Sequence, residues 1–220
     1  MTSPAIPGTS GGADRTISGI VLAGGRSTRF GSDKLAALVD GRPLLHRSLE
    51  ALAALCAEVV IVGPHDRPPQ APQAPQAPPA LAVPVRLTRD DTPAGGPMVG
   101  LAAGLRQAAW PVVIVAAGDM PTPSLGVLRL LVDCVQDGAL ASGLLEGDRL
   151  RPLPCALRRS EALDVALSLG AGVPLRELLR RLDCRGIPES RWRSLDPDGR
   201  TLRDVDRPAD LEGLGRVEPG

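Results

Sequence analysis

Residues 17–34 read ISGIVLAGGRSTRFGSDK. The front of this stretch is a short apolar run ending in glycines, which predicts a buried parallel strand feeding a loop at its C-terminal edge. The loop places Gly24 and Gly25 side by side and then gathers Arg26, Arg29, Asp33 and Lys34. A loop that only had to turn would not need three cations. Adjacent glycines let backbone N–H groups approach an anion, and Arg and Lys supply charge-assisted hydrogen bonds to phosphate oxygens. A triphosphate fits this loop; a solvated turn that is merely basic is the alternative reading. Two better-known phosphate motifs are excluded. The P-loop needs G-x-x-x-x-G-K-[ST], but here five residues separate Gly25 from Gly31 and Leu35 follows Lys34; the G-x-G-x-x-G fingerprint is absent.

Working outward, PLLHRSLEALAALCA carries Leu45, Leu49, Leu52 and Cys56 on one stripe, which predicts an amphipathic helix with Pro43 in its first turn. EVVIVG, VPVRLTRD and PVVIVAAGDMP predict three further strands, and GGPMVGLAAGLRQA a helix with a glycine-rich start. Downstream, PSLGVLRLLVDCVQ, SEALDVALSL and PLRELLRRLD read as helices, ALASGLL and LPCALR as strands. TLRDVD reads as a short strand, and RPADLEGLG as a terminal helix with Pro208 at its start. Strands alternating with helices are the pattern of an α/β domain with a mainly parallel sheet covered on both faces. The domain is expected over residues 17–215. Residues 1–16 read as a disordered lead-in, and the Pro-Gln-Ala repeat at 68–84 as a loop insertion. The alternative for the repeat is a ligand for a proline-binding module.

The bulk composition narrows the function. With 220 residues, 43% of them apolar, the chain builds one sizeable core. Its 25 cations balance 25 anions, which argues against a general binder of nucleic acid or of anionic membrane. Phe30, Trp110 and Trp192 are the only aromatics, too few for a base-stacking platform. Cys56, Cys134, Cys155 and Cys184 form no Cys-x-x-Cys pair and read as small core residues in a reducing compartment. No apolar run approaches the ~20 residues of a spanning helix. The N-terminus lacks the basic start and apolar stretch of a signal peptide, so a cytoplasmic protein is expected. His46 and His65 lack ligand spacing and read as structural or surface residues.

Polar residues at strand ends carry the remaining chemistry, because open α/β sheets bind ligands outside the carboxyl ends of their strands. Asp119, ending an apolar strand in Gly118-Asp119-Met120-Pro121, needs a cation beside it; Mg²⁺ bridging phosphates is the natural one. Capping a helix that starts near Pro121 is the alternative. Asp204 and Asp206, two residues apart, share a face of the expected short strand, and one of them would complete a metal site; Asp206 is equally placed to cap the helix after it. Asp90 and Asp91 follow the third strand, where a base or ribose would find acceptors.

LAGGRSTRFGSDK resembles the L-A-G-G-x-S-x-R-M-G-x-D-K signature of the molybdenum cofactor guanylyltransferases, with Phe30 in place of Met. RDDTPAGGPMVGL, AAGDMP and DVDRPADL are similar to further motifs of that family, in the family's order. The resemblance implies a Rossmann-like three-layer α/β/α sandwich of nucleotidyltransferase type. It also implies Mg²⁺-dependent transfer of GMP from GTP to the terminal phosphate of molybdopterin, with release of pyrophosphate. Leu22, Ala23, Gly24, Gly25 and Gly96 would line the nucleotide, and Asp90 would lie near the guanosine. Arg29 and Lys34 would bind the triphosphate as the catalytic cations, and Asp119 and Asp206 would hold the metal. Many members of the family carry His-Pro where this chain has Arg151-Pro152, so Arg151 and Pro152 would face the acceptor in their place, or the choice of acceptor differs. Partners implied are molybdoenzymes or cofactor-biosynthesis proteins. Ala-Gly-Gly goes with guanine in the family and Ala-Ala-Gly with cytosine; Ala23-Gly24-Gly25 is of the first kind. A cytidylyltransferase, a transferase for another phosphorylated cofactor, and a non-catalytic nucleotide-binding adaptor remain the alternatives.

Overall fold

The computed structural model describes residues 16–24, 35, 37–39, 42–63, 81, 83–89, 95–205, 207 and 210. In chain order these form β1 (Ile17–Leu22), β2 (Leu38–Val39), β3 (Arg42–Pro43), α1 (Leu44–Ala53), β4 (Glu58–Gly63) and β5 (Val85–Arg89). There follow α2 (Gly96–Gln107), β6 (Val112–Ala117), α3 (Leu125–Gln136), β7 (Ala141–Glu146), β8 (Arg149–Arg158) and α4 (Arg159–Leu169). Then come α5 (Leu175–Arg181), β9 (Arg185–Ile187) and α6 (Glu189–Trp192), followed by a 3-10 turn over Arg200–Leu202.

Seven strands make one sheet in the order β5-β4-β1-β6-β8-β7-β9, and β2 and β3 form a separate small hairpin. β1 is buried along its whole length and pairs in parallel with β4 on one side and β6 on the other. Pairings β4–β5 and β7–β9 are also parallel, whereas β6–β8 and β7–β8 are antiparallel. The sheet is therefore mixed but mostly parallel. Alternation along the strands sends Val59 and Ile61 to one face, Val60 and Val62 to the other. Ile17, Val21, Ile61 and Ile114 pack under α1 and α3; Ile20, Val62, Val113 and Val115 pack under α2, α4 and α5. This is the three-layer α/β/α sandwich.

Close packing of α2 is possible because Gly104 has no side chain: a Cβ there would lie 2.9 Å from Ile20 Cγ2 and 3.0 Å from Val62 Cγ2. The α1 stripe runs as expected through Leu45, Leu49 and Leu52, but the helix stops at Ala53. Cys56 stays buried on the same side because its N–H donates to Leu52 O (2.8 Å), while Ala57 N–H donates to Ile17 O and aligns the start of β4. Cys134 and Cys155 are buried too, and Cys184 is half-buried.

One expected element is corrected. The described part of TLRDVD is no strand: a 3-10 turn covers Arg200–Leu202, and residues 203–205 lie outside both sheets. The Asp196 carboxylate accepts the N–H groups of Arg200 (3.0 Å) and Thr201 (2.7 Å), which winds the chain where a strand was expected. The Pro-Gln-Ala repeat falls outside the described residues from 68 to 80, as do residues 1–15 and, Arg207 and Asp210 apart, the expected terminal helix. Among the described residues no helix is long and apolar enough to cross a membrane.

Candidate active site

The sheet order reverses at β1: the chain runs outward from it to β4 and β5, then returns to its other side as β6. Such a switch point opens a crevice outside the carboxyl ends of the strands. Leu22 pairs with Ala117 there, so Gly24 and Asp119 leave the sheet beside each other. Gly118 N–H donates to Leu22 O (3.0 Å) and Ala23 N–H to Val62 O (2.8 Å), locking the strand ends together. The side chains of Leu22 and Ala23 are buried, so these two shape the floor; Gly24 is exposed. Gly96 opens α2 with φ +76°, a left-handed conformation that favours glycine, and no atom lies within 4 Å of a Cβ placed on it. Conformation, and not crowding, sets the residue at this position.

Asp119 does not cap a helix. α3 begins at Leu125, with Ser124 before it, so a loop separates the carboxylate from the helix it was placed to cap. That loop is fastened on several sides. Ser48, on α1, donates its hydroxyl to Met120 O (2.7 Å). Val205 N–H donates to Asp119 O (3.1 Å), and Ser124 N–H to Thr201 Oγ1 (2.9 Å). The C-terminal segment thus lies along the Asp119 loop, with Val205 itself buried.

β8 runs antiparallel to β6, with Cys155 against Val115, so its early residues stand at the same edge as Asp119. Arg151 pairs with Glu146 (3.1 Å) and with Asp204 (3.7 Å), the residue before Val205. Asp119, Arg151 and Asp204 therefore converge. Pro152 is next on β8, where strand alternation points it to the opposite face from Arg151. Gly25, Arg29, Lys34, Asp90 and Asp206 lie outside the described residues. Sequence reading missed Ser48 and the Asp196–Thr201 pair. A signal for Ser48 existed: it is the polar residue on the Leu45–Leu49–Leu52 face, and a buried hydroxyl demands a partner.

A family model described as a MobA-like NTP transferase domain matches residues 19–185. The chain belongs to this family. A probable molybdenum cofactor guanylyltransferase of Chloroflexus aggregans is 31% identical over 202 residues, covering 89% of this chain and 92% of that one. The molybdenum cofactor guanylyltransferase of Burkholderia orbicola is 33% identical over 182 residues, covering 78% and 81%. Among solved structures, the molybdopterin-guanine dinucleotide biosynthesis protein A of Archaeoglobus fulgidus superposes with a TM-score of 0.69 at 24% identity, over 90% of this chain and 96% of that one. The 4-diphosphocytidyl-2C-methyl-D-erythritol synthase of Anaerococcus prevotii superposes with a TM-score of 0.63 at 13% identity, over 91% and 96%, a likeness of fold alone.

Proposed function

We propose that the chain is a molybdenum cofactor guanylyltransferase: it transfers GMP from GTP to the terminal phosphate of molybdopterin and releases pyrophosphate. The observation that carries this reading is the meeting of the β1 end, Asp119 and the Val205 segment at one switch point, in a chain whose relatives bear that name. The acceptor phosphate oxygen forms a bond to the α-phosphorus of GTP as the bond from that phosphorus to the pyrophosphate oxygen breaks. The attacking oxygen is already an anion, so the barrier lies in bringing anions together and in spreading charge on the α-phosphorus. Gly24 and Gly25 offer backbone donors, and Arg29 and Lys34 the cations that meet this charge. In this reading Asp90 would meet the guanosine, and Gly96 would line the nucleotide. Arg151, already set between two carboxylates, is the residue on the acceptor side.

Asp119 supplies hard oxygen donors at the sheet edge, and among the described residues no group of three His, Cys, Asp or Glu surrounds it. One or two carboxylates completed by phosphate oxygens is the donor set that suits Mg²⁺, so the residues fit that ion, with Asp206 as the second protein ligand. When bound, Mg²⁺ supplies neutralisation of phosphate charge. The test is thermal stabilisation by GTP, CTP, ATP and UTP with Mg²⁺, followed by pyrophosphate release with molybdopterin. We expect selective stabilisation by GTP, and a loss of about 10²–10³-fold in kcat/KM for Lys34→Ala. Selective stabilisation by CTP would move the activity to cytidylyl transfer; no pyrophosphate release with any nucleotide would overturn the enzyme reading.

A further inference from the structure

Ser48 sits on α1 and is 0% exposed. A serine inside a helix commonly turns its hydroxyl back to a carbonyl of its own preceding turn. This one reaches across to the end of β6 instead, with Met120 O at 2.7 Å, Ala117 O at 3.2 Å and Gly118 O at 3.4 Å. A hydroxyl has one proton, so Met120 O takes the principal bond, at the usual O–H···O distance. The three carbonyls gather round one oxygen because the backbone turns out of the strand between Ala117 and Met120. Asp119 lies within that turn. On its other side the Asp119 carbonyl is held by Val205 N–H.

We propose that Ser48 is a positioning residue for Asp119: its hydroxyl fixes the turn between Ala117 and Met120 and thereby aims the Asp119 carboxylate at the nucleotide's metal. This rests on the reading of Asp119 as a metal ligand. Groups that orient a metal ligand are worth about 10–100-fold in metal affinity. A serine that only satisfied buried carbonyls would contribute to stability and leave metal affinity alone.

The experiment measures Mn²⁺ binding to the GTP complex by electron paramagnetic resonance, alongside melting temperature and metal-free GTP binding by calorimetry. For Ser48→Ala we expect a lower melting temperature, metal-free GTP binding unchanged, and Mn²⁺ held about 10-fold more weakly. Ser48→Cys keeps a weak donor and a buried atom at the same place, so it stays folded if the alanine variant does not; its Mn²⁺ affinity falls between wild type and alanine. Asp119→Asn is the reference. If Asp119→Asn weakens Mn²⁺ binding and both Ser48 variants leave it at the wild-type value, Ser48 has no positioning role. If Asp119→Asn leaves Mn²⁺ binding unchanged, the metal-ligand reading falls and this inference with it.

Discussion

Glu58 shows how a single buried charge is accommodated when its partners are fixed by the fold. It opens β4 at the end of the sheet opposite the active site and is only 4% exposed. Its Oε1 accepts from Ser18 Oγ (2.9 Å) and Ala109 N–H (2.7 Å), and its Oε2 pairs with the half-exposed Arg86 at 2.8 Å. Ser18 Oγ in turn accepts Trp110 N–H (3.1 Å), so one carboxylate organises the starts of β1 and β4 and the approach to β6. Glu58→Ala leaves the Ala109 N–H and the Ser18 hydroxyl without this acceptor, and hydrogen bonds to charged groups are worth about 1.5–3 kcal/mol each. We expect a loss of about 3 kcal/mol in urea unfolding. Because the network is remote from Asp119, kcat of the surviving folded enzyme should match wild type. A fall in kcat with no change in stability would place Glu58 in the catalytic machinery instead. Nothing in EVVIVG foretold this role, because the partners of Glu58 come from β1, β5 and the loop before β6.

At the scale of elements, the predicted order of strands and helices follows the sequence wherever a segment is long enough to show its period. The α1 stripe and the β1, β4 and β6 runs are of this kind. β9 has three residues and α6 four, too short for a pattern, and both exist because they seal β7. Trp192 does this by donating its ring N–H to Leu145 O (2.9 Å). The direction of β8 was equally hidden, since it follows from the tight turn at Gly147 (φ +57°) that folds β8 back on β7. The α1 helix also carries a pH dependence. His46 on it is 2% exposed, and burial pushes its imidazole below the ordinary value, with Glu50 opposing and Arg42 adding to the shift. The unfolded chain then binds the proton more readily than the folded one. Stability is full above the unfolded value near 6.5 and falls as pH drops below it, until the folded group also protonates. Urea titrations of wild type and His46→Gln at pH 7.5 and pH 5 test this. The wild type should lose more stability than the variant on acidification; equal losses would mean that His46 stays accessible to protons in the fold.

The whole molecule is held together at the site by its own C-terminal segment. Asp196 winds the chain, Thr201 fastens it to Ser124, Val205 reaches the Asp119 carbonyl and Asp204 reaches Arg151. The sequence made Asp119 legible as a strand-end carboxylate, but not this return, because no local pattern relates residues 196–205 to the 119–124 loop. Composition across the whole chain bears on the cation proposed to meet the charge at the α-phosphate. Of the 25 basic residues, 24 are arginine, and Lys34 is the only lysine. A chain that uses arginine at every other basic position keeps an amine at the end of its glycine-rich loop. Arginine presents a planar fork of donors, whereas lysine is a compact point charge on a flexible stem. A small charge that must follow a phosphorus as its oxygens spread favours the amine. Lys34→Arg preserves net charge, so a role in bulk electrostatics predicts wild-type kinetics for it. A role at the α-phosphate predicts a fall of about 10²-fold in kcat with GTP stabilisation largely kept, since the charge remains but its position does not. Steady-state pyrophosphate release and nucleotide thermal shifts on the same variant separate the two. Full activity in Lys34→Arg would remove the lysine from the chemistry and leave only a basic loop.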